Sequence, residues 1–225
     1  MPYCTRCGAK IPEDEEARFC PNCGAPILLK PHIDVAHRKE EVKPLYAARK
    51  MHTLLFLTIL FLNMLVTSAG ALSKVESSQV QVIVKDFREM EKMLRTVGVQ
   101  LIFGNNMMYC LVMFIPFVGP ISGFYVLYST GRVLAALGYV LGADPLLLFL
   151  SLLIYPHSWL EYISYSLAIS ESVRLSIYTL RYRLKGLKAE LPRTAKYISL
   201  CAALLLTGAL IEMALITLIP SAIPS

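Results

Sequence analysis

Long apolar runs, separated by short polar segments, set the frame of this chain. "HTLLFLTILFLNMLVTSAGAL" (52–72) has no charge after its leading His52. "AKYISLCAALLLTGALIEMALITLIP" (195–220) has one interior acid, Glu212. Each exceeds the roughly 20 apolar residues that a helix needs to cross a bilayer. A further apolar stretch, from Met107 to Leu175, is long enough for several passes. Pro116, Gly119 and Pro120 are expected to split it into a short first pass and a second of about 20 residues ending near Gly142. Asp144-Pro145 marks the next turn. The pass that follows starts at Pro145, runs to about Leu175, and is expected to break at Pro156.

A different pattern fills residues 74–103. Val80, Ile83, Phe87, Met90, Leu94, Val97 and Leu101 recur every three or four positions, with charges between them. Lys85 with Glu89, and Glu91 with Arg95, stand at i,i+4. This predicts an amphipathic helix, packed on its own membrane domain or presenting a docking face to an extracytoplasmic partner. The composition agrees with a membrane protein: 56% of residues are hydrophobic and 17% charged, too apolar for an ordinary soluble domain.

Charge distribution predicts orientation. Arg38, Lys39, Lys43, Arg49 and Lys50 crowd the approach to the first span. Arg174, Arg181, Arg183, Lys185, Lys188, Arg193 and Lys196 lie between the last two spans, opposed in that stretch by Glu190. Basic residues favour the cytoplasmic side. Five spans, N-terminus inside and C-terminus outside, put both groups there. Topology explains the first basic group without invoking nucleic acid. The segment ahead of the first span is polar and cysteine-bearing, unlike a secretory signal peptide.

That leading segment carries its own chemistry. Cys4-x2-Cys7, twelve residues, then Cys20-x2-Cys23 offers four thiolates, the donor set of a closed tetrahedral zinc site. Gly8 and Gly24 each follow the second cysteine of a pair and let the chain turn back over the sulfurs. About 25 residues bury no core of their own, so a structural staple is the natural role. Iron in a rubredoxin-like site uses the same ligands. Disulfides are the weaker alternative in a reducing compartment. The segment resembles the small zinc ribbons of many microbial membrane proteins, which implies contact with protein or nucleic acid. The expected domains are a ribbon over 1–27, a basic linker over 28–50 and a transmembrane domain over 51–225. Cys110 and Cys201, in apolar runs, read as small core or lipid-facing residues.

Inside the membrane region, Asn105 and Asn106 open the second pass, and His157 and Glu161 stand in the fourth. An ionisable side chain near the bilayer centre costs about 2.5–3.5 kcal/mol on insertion scales, so these residues should face the interior and find partners. Pro156 is suited to restart a helix, and His157 and Glu161 then share a face. The readings are a satisfied cluster that fixes helix packing, a substrate or ion pathway, or a catalytic dyad. The chain holds no HExxH, no GxSxG and no paired intramembrane aspartates.

"FGNN", "STGRVLAAL" and "PHSWLE" together resemble the stage II sporulation protein M family over roughly residues 50–220. Its members carry Asn-Asn near the second span, a mid-domain Asn-Gly, and Pro-His-Gly-x-x-Glu. Asn105 and Asn106 match the first motif; Pro156, His157 and Glu161 match the last. Ser158 replaces the motif glycine, and Thr130-Gly131 replaces Asn-Gly; Gly131 is expected to mark a helix break. The resemblance implies a polytopic scaffold that holds cell-wall-degrading partners at the engulfing membrane and has no established enzymatic activity. A fused cytoplasmic zinc ribbon is typical of archaeal members, for which the membrane platform rather than the sporulation role is expected to carry over. The expectation is therefore an all-α polytopic membrane protein of about five transmembrane helices, one discontinuous, with one structural zinc. Lipids and protein partners on both sides of the membrane are the expected contacts, and a homo-oligomer is a further one. A transporter or permease component using His157 and Glu161 is the alternative.

Overall fold

The computed structural model describes residues 3–10, 19–26 and 49–218, with side chains from His52 in the last segment. Two compact units divide at Lys43 and Pro44. The basic cluster of the linker falls on residues 38, 39 and 43, outside the described residues, and on 49 and 50, whose side chains are not described.

The first unit contains two copies of one turn. Gly8 N–H donates to Cys4 O at 2.8 Å, and Gly24 N–H to Cys20 O at 2.9 Å. Both glycines adopt positive φ, 71° and 65°, a conformation that a side chain resists. Antiparallel bridges Tyr3–Lys10 and Phe19–Pro26 close the two turns.

The second unit is helical: α1 (Arg49–Ala71), α2 (Ser77–Val97), α3 (Val99–Met113), α4 (Val118–Leu141), α5 (Pro145–Leu152) and α6 (Pro156–Leu218). Three of these, α1, α4 and α6, are long and apolar enough to cross a bilayer. The five expected passes map onto α1, α3, α4, α5 with the first arm of α6, and the second arm of α6, with corrections. α3 has 15 residues and rises about 22 Å, short of a hydrocarbon core of about 30 Å. The basic segment expected as a loop before the last span is helical. Its break is a single residue, Arg183, at φ 54° and ψ −145°. The arms on either side of it pack together: Cys201 Sγ donates to Ser164 O at 3.5 Å.

The helices are inside-out compared with those of a soluble protein. On α1, Leu54, Leu57, Phe61 and Leu65 are exposed, while Ile59, Asn63, Thr67 and Ala71 are buried. A bilayer supplies no hydrophobic drive between helices, so close packing and polar bonds hold the interface. Asn63 Nδ2 donates to Ser166 Oγ at 2.9 Å, and Tyr162 O–H donates to Thr67 Oγ1 at 2.8 Å, both joining α1 to α6. Small residues line the buried stripe of α4: Gly119, Gly123, Gly131 and Ala135.

Gly131 is therefore not a helix break. It lies within unbroken α4, where a Cβ would come within 2.2 Å of Thr67 O; a Cβ on Gly70 would likewise meet Tyr128 O at 2.2 Å. Glycine is present there for backbone contact between α1 and α4, not for flexibility. Gly119 and Pro120 also belong to a helix, the first turn of α4, where a proline lacks little by way of N–H partners. The break they were expected to make falls just before, at 114–117, where Phe117 takes φ 64° and its N–H bonds Ser176 Oγ at 2.7 Å.

The break ahead of α6 stands where expected. Asp144 Oδ1 caps α5 by accepting from Leu146 and Leu147 N–H at 2.8 and 3.1 Å, with Pro145 in the first turn. α6 restarts at Pro156, and Trp159 Nε1 donates to Leu153 O at 2.7 Å, serving one of the carbonyls that the break frees.

Candidate functional site

The four ribbon cysteines converge. Their sulfurs all lie within 4.8 Å of one another, with Cys4–Cys23 and Cys7–Cys20 at 3.7 Å. A tetrahedral Zn–S distance of about 2.3 Å gives an S···S edge of about 3.8 Å. All four are free thiols, and the spacing is far from the roughly 2 Å of a disulfide. Backbone N–H groups of Arg6 and Cys7 point at the Cys4 sulfur and hold its thiol down at about 6. The Ala9 N–H lowers Cys7 in the same way. The Ala25 N–H acts likewise on Cys23, but the Cys7 sulfur, burial and Cys4 outweigh it and push that thiol up to about 12. Four sulfurs this close resist becoming thiolates together, and a divalent cation relieves that conflict. The donor set fits one structural zinc ion with no open coordination position.

In the membrane unit, two of the expected polar residues meet. Asn106 Nδ2 on α3 donates to Glu161 Oε1 on α6 at 2.6 Å. Asn105 and His157 stay out of this bond. His157 stacks on Tyr155 with ring centroids 5.8 Å apart, and its buried Nδ1 has no hydrogen-bond partner among the described residues. Sharing a helix face with Glu161 did not make the two a hydrogen-bonded pair.

A larger ionic cluster joins α1 to both arms of α6. Glu171 is 1% exposed. It receives Arg174 Nε and Nη2, each at 3.2 Å, and Thr194 Oγ1 at 3.4 Å. His52 Nε2 lies 3.7 Å from its other oxygen, and Arg193 Nε 3.9 Å from Oε1. Arg174 also grips Glu190 across the arms. The rings of His52 and Tyr197 stack at 5.9 Å. Two acids face two arginines, so the cluster balances its own charge when His52 is neutral. Sequence reasoning had placed Arg174 and Arg193 among loop charges and left Glu171 and His52 unassigned. The available signal was a glutamate and an arginine at i,i+3 beneath an apolar run.

Against models of known families, residues 3–27 match a zinc-ribbon domain, and residues 51–217 match stage II sporulation protein M. No curated protein and no solved structure gives a significant match to the chain. The apolar helices and the family together make this a membrane protein. With the second match extending over most of its length, the chain belongs to the stage II sporulation protein M family.

Proposed function

We propose that this protein is a non-enzymatic membrane scaffold or assembly factor that recruits partner proteins, with the zinc ribbon as its cytoplasmic contact. The observation that carries this reading is the use of polar groups within the membrane unit. Asn63 bonds Ser166, Thr67 bonds Tyr162, and Asn106 bonds Glu161, each between helices. Such bonds tie a bundle together. A permease needs its intramembrane carboxylate available to a cargo, whereas Asn106 already holds Glu161.

Orientation follows from the same end of the bundle. His52 at the start of α1 touches Glu171 and Tyr197 of α6, which supports a shared side of the membrane for the start of α1 and the basic stretch around the α6 kink. Arg181, Arg183, Lys185 and Lys188 around the kink are exposed. The positive-inside rule makes this face cytoplasmic, with the C-terminus outside.

The test is capture of cross-linked partners from native membranes by the full chain, by a chain without residues 1–27, and by Cys4→Ser/Cys20→Ser. A defined partner set that is lost in both variants supports recruitment through the ribbon. A full chain that captures no partner, together with cargo flux in proteoliposomes that Glu161→Gln abolishes, overturns it in favour of transport.

A further inference from the structure

The amphipathic helix α2 divides into two parts. Its first two turns rest on α4: Val80 and Val84 are buried with Ala136, and Arg132 Nη2 donates to Gln79 Oε1 at 2.7 Å. Beyond Val84 no residue of α2 is buried. Yet exposed apolar residues run along the whole helix, before and after Val84. Val82 is 59% exposed, Met93 51%, Val97 48% and Met90 41%. At 100° per residue they fall within an arc of about 80°, joined to the buried stripe through half-buried Ile83, Phe87 and Leu94. Lys85, Arg88 and Lys92 fall on the opposing arc.

The height of α2 in the bundle says what covers this second stripe. The turn between α3 and α4 is level with the start of α1: Ser172 Oγ bonds Ile115 O at 2.6 Å, and the adjacent Glu171 faces His52. Arg132 and Ala136, where α2 touches α4, stand 14 and 18 residues beyond Val118, or about 21–27 Å along the helix. That height is close to the far boundary of a hydrocarbon core of about 30 Å. From there α2 passes through Gly98 directly into apolar α3, so the stripe is continuous with a segment already at membrane depth. Asp86 also falls on the exposed arc, which fits headgroup level rather than the hydrocarbon itself.

We propose that α2 is an interfacial helix, seated on the lipid surface through Val82, Met90, Met93 and Val97 at the end of the bundle opposite the α3–α4 turn. An apolar face with cations on the opposite face of the helix suits the headgroup–acyl boundary. The partner is lipid, not a second protein.

The full chain in phosphatidylcholine–phosphatidylglycerol vesicles tests this. Trp159 is the single tryptophan, so Trp159→Phe allows a new one to report alone. Brominated phosphatidylcholine should quench Met93→Trp to an extent comparable with Leu57→Trp, on the exposed face of α1, and should quench Lys92→Trp several-fold less. Aqueous acrylamide should show the reverse order. If acrylamide quenches Met93→Trp as strongly as Lys92→Trp, or neither quencher reaches it, the stripe faces water or another polypeptide and the proposal fails. Trp159 bonds Leu153 O, so its replacement can disturb folding. A second variant keeps it: p-benzoylphenylalanine placed at Met93 should give an adduct of lipid mass on irradiation. A cross-link to protein, or no lipid adduct, overturns the assignment.

Discussion

Asn106 and Glu161 meet at 2.6 Å across α3 and α6, whereas His157, one turn from Glu161 on the same helix, bonds neither. The two mutations therefore separate. Asn106→Ala leaves a half-buried carboxylate without its donor and should lower stability by about 1–3 kcal/mol. His157→Ala removes a ring that stacks on Tyr155 but breaks no hydrogen bond of the cluster, so its effect should be smaller. Thermal unfolding in detergent compares them; equal losses would mean that His157 belongs to the cluster after all.

Glu171 holds together charges from α1 and both arms of α6. Removing it leaves Arg174 and Arg193 facing one acid instead of two. Breaking a buried pair in this way typically costs about 3–5 kcal/mol. Glu171→Ala should therefore be among the most damaging single changes in the bundle, while Lys185→Ala, exposed at the kink, should be neutral. Melting temperature and yield of folded monomer in detergent give the comparison.

Gly131→Ala should force α1 from α4, because the added Cβ would come within 2.2 Å of Thr67 O and backbone cannot rotate away as a side chain does. Overpacking of this kind costs about 1–3 kcal/mol. Gly104→Ala makes a fair control, since nothing lies within 4 Å of its Cβ position and helix propensity favours alanine. Opposite signs for the two variants in an unfolding assay are the expected result.

Metal analysis of the purified full chain should return about one zinc per molecule, and Cys4→Ser/Cys20→Ser should return none. Acidification should release the metal, since protons compete for the thiolates, while the melting of the helical unit should move little. Iron in place of zinc would appear as a red chromophore, and absence of any metal would remove the ribbon assignment.

What could be read from the chain depended on how far apart the interacting residues stand. The ribbon was legible because two CxxC pairs declare a donor set before any fold is known. Pro156 as a helix start and the two i,i+4 ion pairs of α2 were legible because each is local; both pairs form, at 3.9 and 3.0 Å. The Glu171 cluster was not, because its parts come from α1 and from two arms joined by a kink. Arg174 and Arg193 were read by sign alone, as orientation signals, although each is drawn inward to a carboxylate. Gly131 misled for a related reason. A glycine in a sequence announces either freedom or crowding, and only the neighbouring Gly70 and Thr67 on another helix decide between them.

The contact at Gly70 and Gly131 bears on how the bundle can move. Helices usually slide on a cushion of side chains that change rotamer as they go. Here main chain lies on main chain, and the cushion is missing where the two cross. α1 and α4 must then travel as a single plate. Any rearrangement is left to the seams along α6, where the fastening is made of hydrogen bonds and the ion pairs around Glu171, which can open and close again.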